Sequence, residues 1–517
     1  VTSTHREVEL KFRVPADFDL PDLCSVPGVE RVETRPTFTM SNVYYDTPDL
    51  RLFRWGITLR RRQGGPDQGW HLKVPVAGAA TDGLARDEIR SPLDSGGLAA
   101  DPAGDPSPPE EITRIVTAFI RSAPVGPVAA LRTERTPTLL LDAAGTPIIE
   151  VVDDTVSVLE GDHVVTRFRE IEAEALTEGA SPHDAQLLHD VSDTLLSAGA
   201  VPGTMSKAGA ALGPRAVVPA EIPELDWPAA SAPAGDVVRA YLAQHARRLL
   251  LADLHLRQGL PDAVHQLRVN ARRIRSGLKV FEPLLDAAWA HGLRDELGWM
   301  ASGLGEARDT EVLRERLDAH ATELAEPDAT LARAVIDTAL DARLSAAQAA
   351  MGDVVDSDRY ALLLDALVDG VRRPPLSSRA RESAAEALPP LVARAFRRLD
   401  RRVSQLDLAT PSEEWHVARI AAKRARYAAD AVAPVLGRRV ARLADHLAEA
   451  TETLGTHQDA HVAQEALRAW GATADAPGAF ALGRLLALEE AAEMADRVAF
   501  GDLWPGVSRA ARRAGIT

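Results

Sequence analysis

The chain has one cysteine in 517 residues, Cys24, which excludes an intrachain disulfide and any metal site built from several thiolates. No uninterrupted apolar run is long enough to span a bilayer, and the opening stretch VTSTHREVEL has no apolar core of the signal-peptide kind. A cytoplasmic protein without membrane association is therefore expected. Aromatic residues make up only 4%, so stacking platforms for nucleobases are scarce. Net positive charge is also missing. At a formal −16 the chain does not coat itself non-specifically with nucleic acid, and any polyanion must be met by local basic clusters. Lysine is nearly absent as well: of 59 Lys+Arg residues only Lys11, Lys73, Lys207, Lys279 and Lys423 are lysines. In so arginine-rich a chain, a lysine is expected where a compact point charge does what a planar guanidinium cannot.

The chain is too long for one core, and its 46% hydrophobic content suits two or three globular domains. Residues from about 5 to 210 read as strands, with alternating segments at Glu7–Val14, Ile57–Arg62, Trp70–Val76 and Ile148–Val152 between Gly, Pro and Asp turns. Helices are expected at Pro109–Arg121 and Ser181–Ala198, the latter opened by Ser181 as N-cap with Pro182 at the first helical position. A Pro/Ala-rich stretch over 212–235 reads as a linker or surface strap. Beyond it the spacing is helical, and the segment repeats itself: HQLRVNARRIRSGLKVF from His265 is echoed by HVARIAAKRARYAADAV from His416, and LGEARDTEV from Leu304 by LGTHQDAHV from Leu454. The offsets, 416 − 265 = 151 and 454 − 304 = 150, predict two similar helical bundles.

In the first segment, strand alternation places Glu7, Glu9 and Lys11 on one face of EVELK, with Val8, Leu10 and Phe12 on the other. The pattern recurs for Glu170, Glu172 and Glu174 in EIEAE and for Arg60 and Arg62 in LRRR, with Lys73 and Lys207 further along. A sandwich needs apolar inner faces, whereas a barrel with a charged lumen accommodates such strands. Carboxylates at this density call for a cation, Mg²⁺ or Mn²⁺ by donor type, and the basic residues call for an anionic guest. A metal beside a basic clamp is what phosphoryl transfer to water requires.

These residues, together with YYDTPDLRL, WHLKVP and EVVDDTV, resemble the CYTH, or triphosphate tunnel metalloenzyme, family over residues 5–210. The resemblance implies an eight-stranded antiparallel tunnel barrel that acts on triphosphates with a divalent cation. It implies Lys11, Arg60, Arg62, Lys73 and Lys207 as phosphate ligands, and Glu7, Glu9, Glu170, Glu172 and Asp154 as metal ligands; Glu174 shares the acids' face, with the lumen and its rim both open to it. Glu7, Glu9, Lys11 and Glu172 are the candidate catalytic set. Either Arg132 or Arg135 completes the basic set; their parity allows only one to point inward, and Arg135 is preferred. Family members include inorganic, thiamine and RNA triphosphatases and some adenylate cyclases, so the substrate stays open.

In the repeat, His265, Arg268, Arg272, Arg275 and Lys279 form a stripe at helical steps of three and four, flanked by Arg273. The second copy carries His416, Arg419, Lys423 and Arg426, flanked by Arg424, with Asp430 where the first has Lys279. Like charges along one helix face require acids or a ligand. The run resembles the CHAD domain over 236–510, which implies two four-helix bundles around a basic groove for inorganic polyphosphate, with Arg308 of LGEARD added to the contacts. The second copy departs from the first at Lys423, Tyr427 and His457–Gln458. Asp309 and Asp459 read as helix caps or anchors for arginines.

The expected architecture is thus an α+β tunnel barrel over 1–211, the linker over 212–235 and an all-α domain over 236–517. Association with polyphosphate granules is an expectation for the chain as a whole, and two functions remain in play: a metal-dependent hydrolase of inorganic triphosphate or short polyphosphate, and a polyphosphate-binding or targeting protein without turnover. A triphosphatase acting on thiamine triphosphate or a nucleotide is a third.

Overall fold

The computed structural model describes residues 3–76, 85–93, 106–176, 182–203 and 205–517. The chain divides into two compact units, Val1–Glu221 and Ile222–Thr517.

The first unit is built on strands β1 (Ser3–Val14), β2 (Arg31–Thr34), β3 (Phe38–Asp46), β4 (Thr58–Gln63), β5 (Gly69–Pro75), β6 (Ala85–Ser91), β7 (Gly126–Leu141), β8 (Pro147–Glu160), β9 (His163–Ala175) and β10 (Val201–Pro202). Eight of them close an antiparallel barrel in the order β1-β6-β5-β4-β3-β7-β8-β9 and back to β1, while β2 and β10 pair outside the ring with β7 and β1. The usual polarity of a small barrel is inverted. The apolar face of β1, with Phe12 and Val14, points outward with Ile149 and Val151 of β8 and Ile171 and Ala173 of β9. Helix α4 (Pro182–Ser197) covers this face with Leu187, Leu188, Val191 and Leu195. Apolar burial therefore lies in a layer between strands and helix, and the strand faces turned into the barrel are left free for charge.

Shorter helices finish the unit: α1 (Arg51–Arg54), α2 (Glu110–Ile115), α3 (Thr117–Ile120) and α5 (Lys207–Leu212). The helix expected over Pro109–Arg121 is broken at Val116, which serves as the C-cap of α2 and the N-cap of α3. The expected N-cap Ser181 lies outside the described residues. Within the Pro/Ala-rich stretch, Glu221 is buried and accepts hydrogen bonds from Arg121 at 2.5 Å and from the Trp55 indole at 3.1 Å, tying the strap to the barrel unit.

The second unit is all helical: α6 (Ala234–Arg257), α7 (Ala263–Val280), α8 (Ala287–Gly303), α9 (Gly305–Ala321), α10 (Asp328–Val355), α11 (Asp358–Arg372), α12 (Ala384–Val403), α13 (Ser412–Leu436), α14 (Arg438–Gly471) and α15 (Ala476–Ala514). The duplication is visible in the starts. Helices α6 and α12 begin 384 − 234 = 150 residues apart, and α8 and α14 begin 438 − 287 = 151 apart. In the first copy α8 and α9 are separate, where α14 of the second copy runs unbroken. The two copies meet through a reciprocal pair of bonds: Ala234 N donates to Glu382 O at 2.9 Å and Ala384 N to Ala232 O at 2.8 Å. Both donors and both acceptors are 150 residues apart, as an approximate twofold axis requires. Gly277 of α7 is one close-packing point: a Cβ there would meet the Tyr241 ring of α6 at 2.3 Å. Among the described residues no helix is long and apolar enough to cross a membrane.

Candidate functional site: a charged tunnel and a basic groove

The barrel encloses a cavity of about 780 Å³. Its wall is made of the charged faces of the strands: Glu7, Glu9 and Lys11 from β1, Arg60 and Arg62 from β4, Lys73 from β5, Arg135 from β7, and Glu172 and Glu174 from β9. Lys207 reaches it from the first turn of α5, a position fixed by Ser206, whose hydroxyl accepts from Gly209 N at 3.1 Å as N-cap. A lysine there opposes the helix dipole, so acids must hold it. Three do: its ammonium lies 2.8 Å from Asp154, 2.5 Å from Glu170 and 2.8 Å from Glu172.

Every other cation of the sequence-derived tunnel set is likewise met by an acid. Lys11 lies 3.0 Å from both Glu9 and Glu172. Lys73 contacts Glu7 and lies 3.9 Å from Glu9 and Glu88. Arg60 donates to Glu88 at 3.3 Å, and Arg62 pairs with Asp67 and donates to Asn42 at 3.2 Å. Arg135 faces the lumen, donating to Asp154 at 2.6 Å and to Glu172 at 3.0 Å, whereas Arg132 is exposed on the opposite parity.

The acids fall into two groups. Asp154, Glu170 and Glu172 are all buried and offer oxygens within 4.8 Å of one another, a spacing one cation can bridge. Glu7 and Glu9 stand apart around Lys73, joined to the first group through Lys11, which touches Glu9 on one side and Glu172 on the other.

This crowding splits the carboxyl pKa values. Burial opposes charge on Glu9, yet Lys73 and Lys11 hold it down to about 2. Burial likewise opposes Glu172 and Asp154, but Lys11, Lys207 and Arg135 keep Glu172 well below the carboxylate range, and Lys207 and Arg135 keep Asp154 low. Burial wins at Glu7 and Glu170, which are raised. Glu174 is pushed up to about 8 by burial and by Glu7.

Reading the sequence missed Glu88. It is fully buried, accepts from Arg90 at 2.5 Å, lies 3.0 Å from His71 Nδ1, and is held far below the carboxylate range against its burial by His71, Lys73 and Arg60. The signal was present as Arg86, Glu88 and Arg90 alternating in ARDEIRS. It was masked by Asp87, which points the other way and takes Arg6 at 2.9 Å. Asp67 sits in the turn between β4 and β5, where no periodicity marks it.

In the helical unit a groove of about 830 Å³ gathers Arg272, Arg275 and Lys279 of α7, Arg294 of α8, Arg394 and Arg398 of α12, and Lys423 and Arg424 of α13. The single acid in its lining, Glu282, is 2.6 Å from Lys279. Lys423 is lowered to about 8 by burial and by Arg419 and Arg272, and Arg424 is lowered by burial and by Arg398 and Arg294. The cations therefore act on one another.

The remaining stripe residues are spent differently. Arg268 donates to Asp309 at 3.0 Å and to Gly305 O at 3.1 Å, and Arg308 pairs with Glu311 and Glu315 of its own helix. His416 contacts Gln458, and His265 is exposed. Arg419 carries a lowered pKa from burial. Arg273 and Arg426 both turn to Asp430, at 3.5 and 3.6 Å. Sequence periodicity missed Arg294, Arg394 and Arg398, because they lie on helices other than the two basic stripes.

The architecture defines a class: a closed tunnel holding both signs of charge, joined in one chain to a duplicated helical unit with a basic groove. The CYTH domain model matches residues 5–199 and the CHAD domain model residues 240–468, and the chain belongs to the family of proteins with a CYTH domain followed by a CHAD domain. It is 35% identical to Uncharacterized protein MT2285 of Mycobacterium tuberculosis (strain CDC 1551 / Oshkosh) over 529 aligned positions, covering 95% of this chain and 94% of the relative. Among solved structures, PptA from Streptomyces chartreusis is 28% identical, with a TM-score of 0.47 over 53% of this chain and 100% of that one. The CHAD domain from the plant Ricinus communis is 24% identical, with a TM-score of 0.42 over 55% of this chain and 96% of that one.

Proposed function

We propose that the tunnel hydrolyses inorganic triphosphate or short polyphosphate with a divalent cation, Mg²⁺ or Mn²⁺, and that the helical unit binds polyphosphate, in a cytoplasmic protein. The observation that carries this reading is the juxtaposition, in one cavity, of three buried carboxylates whose oxygens lie within 4.8 Å of one another and a wall of lysines and arginines. The donors are all carboxylate oxygens, which suits a hard divalent ion. Asp154, Glu170 and Glu172 would hold it, with Glu7 and Glu9 alongside on the neighbouring strand β1. When bound, such an ion activates water and offsets charge on phosphate oxygens.

The chain's own residues do the rest. Lys11, Lys73, Arg60, Arg62 and Arg135 bind and align the phosphate oxygens, and Lys207, already among the acids, neutralises them while the cavity holds no other cation. The buried wall excludes bulk water from the bound chain. Water adds to a terminal phosphorus, the bridging oxygen leaves with the electron pair of the broken anhydride bond, and lumen cations offset its charge.

The test is phosphate release from triphosphate, long-chain polyphosphate, thiamine triphosphate and ATP with each metal. Release from triphosphate that is lost in Glu172→Gln is the expected result, and a preference for thiamine triphosphate or ATP would reassign the substrate. The position of Lys207, with its ammonium centred on the three candidate metal ligands, favours a second reading in which the tunnel holds phosphate without turnover. No release above the Glu172→Gln background would establish it.

A further inference from the structure

The approximate twofold of the helical unit should give its basic groove a mate, with each lining residue replaced by the one about 150 positions away. Helices α7 and α13 align at an offset of 151 through their His265 and His416 motifs. Helices α6 and α12 align at 150 through their reciprocal hydrogen bonds. Helices α8 and α14 align at 150, because buried Leu293, Leu297, Met300 and Leu304 then fall on buried Leu443, Leu447, Ala450 and Leu454.

Four differences change the charge of the lining: three remove a cation from the mate, and the fourth, Glu282 replaced by Ala433, removes its acid, so the mate is the less basic face. Ser276, which lines the groove, is replaced by Tyr427, Lys279 by Asp430, Arg294 by Ala444 and Arg394 by Gln244. The consequences are visible on the mate side. Tyr427, which also lines the open groove, presents its buried ring at the position equivalent to Ser276, with Arg272 and Arg273 each 5.9 Å from its centroid. Asp430 takes Arg273 at 3.5 Å and Arg426 at 3.6 Å. The equivalents of those two arginines, Arg424 and Arg275, line the open groove, and among the described residues neither has an acid within ion-pair distance.

We propose that the duplicated helical unit has one working anion face, the groove beside Ser276, and that its twofold mate, with Tyr427 at the serine-equivalent position, is neutralised by Asp430. The chain therefore takes up one polyphosphate strand on one side of the axis, and Arg294, Arg394 and Ser276 determine which side. This rests on the polyphosphate-binding reading of the helical unit.

The test uses the full-length chain with chelator present, so that nothing is hydrolysed, and a short polyphosphate of uniform length titrated calorimetrically at fixed ionic strength. Beyond any chain held by the tunnel, which every variant below leaves in place, wild type is expected to bind one chain. Arg294→Asp and Arg394→Asp should each weaken binding at least tenfold, because each replaces a cation by an anion beside the ligand. Arg273→Ala and Arg426→Ala on the mate side should change affinity less than twofold. The triple variant Tyr427→Ser/Asp430→Lys/Gln244→Arg should bind one chain more than wild type. Should it fail to fold, as judged by its thermal melt, the four single substitutions decide alone. Equal losses from the two faces, or a folded triple variant that binds no more chains than wild type and with unchanged affinity, would overturn the proposal. Absence of binding by wild type beyond the tunnel's own would instead remove the functional reading beneath it.

Discussion

The tunnel and the groove are both rich in basic residues, but they manage charge in opposite ways. In the tunnel each lysine of the sequence-derived set, Lys11, Lys73 and Lys207, rests on two or more carboxylates. In the groove Arg424 is pressed by Arg398 and Arg294 and Lys423 by Arg419 and Arg272, and neither Arg398, Arg424 nor Lys423 has an acid within ion-pair distance among the described residues. The tunnel is internally neutralised and can admit an anion and a cation together. The groove carries a standing positive charge that only an anion relieves. The first arrangement suits chemistry, in which partners are exchanged; the second suits capture.

The sharpest way to break this comparison is to remove a tunnel acid. Glu172 contacts Lys11, Lys207 and Arg135 and belongs to the candidate metal set. Glu172→Gln should lower phosphate release by more than the roughly 10- to 100-fold that losing an outer-shell partner costs a metal site. Polyphosphate binding by the groove, measured by calorimetry on the same variant, should be unchanged. Loss of both would mean that the two sites do not act separately.

Lys207→Met probes the tunnel's internal neutrality. The substitution leaves Asp154, Glu170 and Glu172 buried without their shared cation, and breaking a buried pair from one side costs about 3–5 kcal/mol. Chemical denaturation should show that loss in the barrel unit, and divalent metal should restore part of it by binding the freed acids. A barrel as stable as wild type would mean that the acids are already protonated and the neutralisation argument is wrong.

How these sites could be read from sequence follows from periodicity. EVELK and EIEAE gave up their lumen residues because a strand alternates strictly and each segment has a wholly apolar opposite face, Leu10 and Phe12 in one and Ile171 and Ala173 in the other. The basic stripe of α7 was legible for the same reason at helical spacing. Glu88 was not, since Asp87 beside it blurs the alternation. Asp67 was not, since a turn has no period. Arg294 and Arg394 are single residues on separate helices, and only the tertiary fold brings them to the groove. The closed ring of eight strands follows from the alternation together with the family resemblance. The break between α8 and α9, unmatched in α14, had no counterpart in composition.

pH should move the two regions in opposite directions. Burial raises Glu7 and Glu170, and burial with Glu7 raises Glu174 to about 8, so the tunnel gains negative charge and cation affinity as pH climbs from the usual carboxylate range to about 8. Lys423 is lowered to about 8, so the groove loses positive charge as pH rises through the same value. Metal-dependent phosphate release should rise severalfold over that range, and Glu174→Gln should remove its upper part. Polyphosphate affinity should fall by up to about tenfold between pH 7 and 9, and binding at pH 8 should take up protons, because the bound anion restores charge to Lys423. Parallel pH profiles would show that one site dominates both measurements.

The smallest expected effect bears most directly on the contrast. If the groove cations repel one another, removing one must stabilise the anion-free protein, the reverse of the result at Lys207. Arg424 is exposed and is lowered by burial and by its neighbours Arg398 and Arg294. Solvent screens that repulsion, so Arg424→Ala should gain less than about 1 kcal/mol, visible as a small rise in the melting temperature of the helical unit at low salt and lost at high salt. The same variant should bind polyphosphate less tightly and with a salt slope shallower by roughly 0.7, the value of one phosphate contact on a single strand. Stability and affinity moving in opposite directions on one substitution is the signature of a site held under charge strain for its ligand. Destabilisation by Arg424→Ala at every salt concentration would mean that the side chain serves packing, and the groove would then lose its claim to differ from the tunnel.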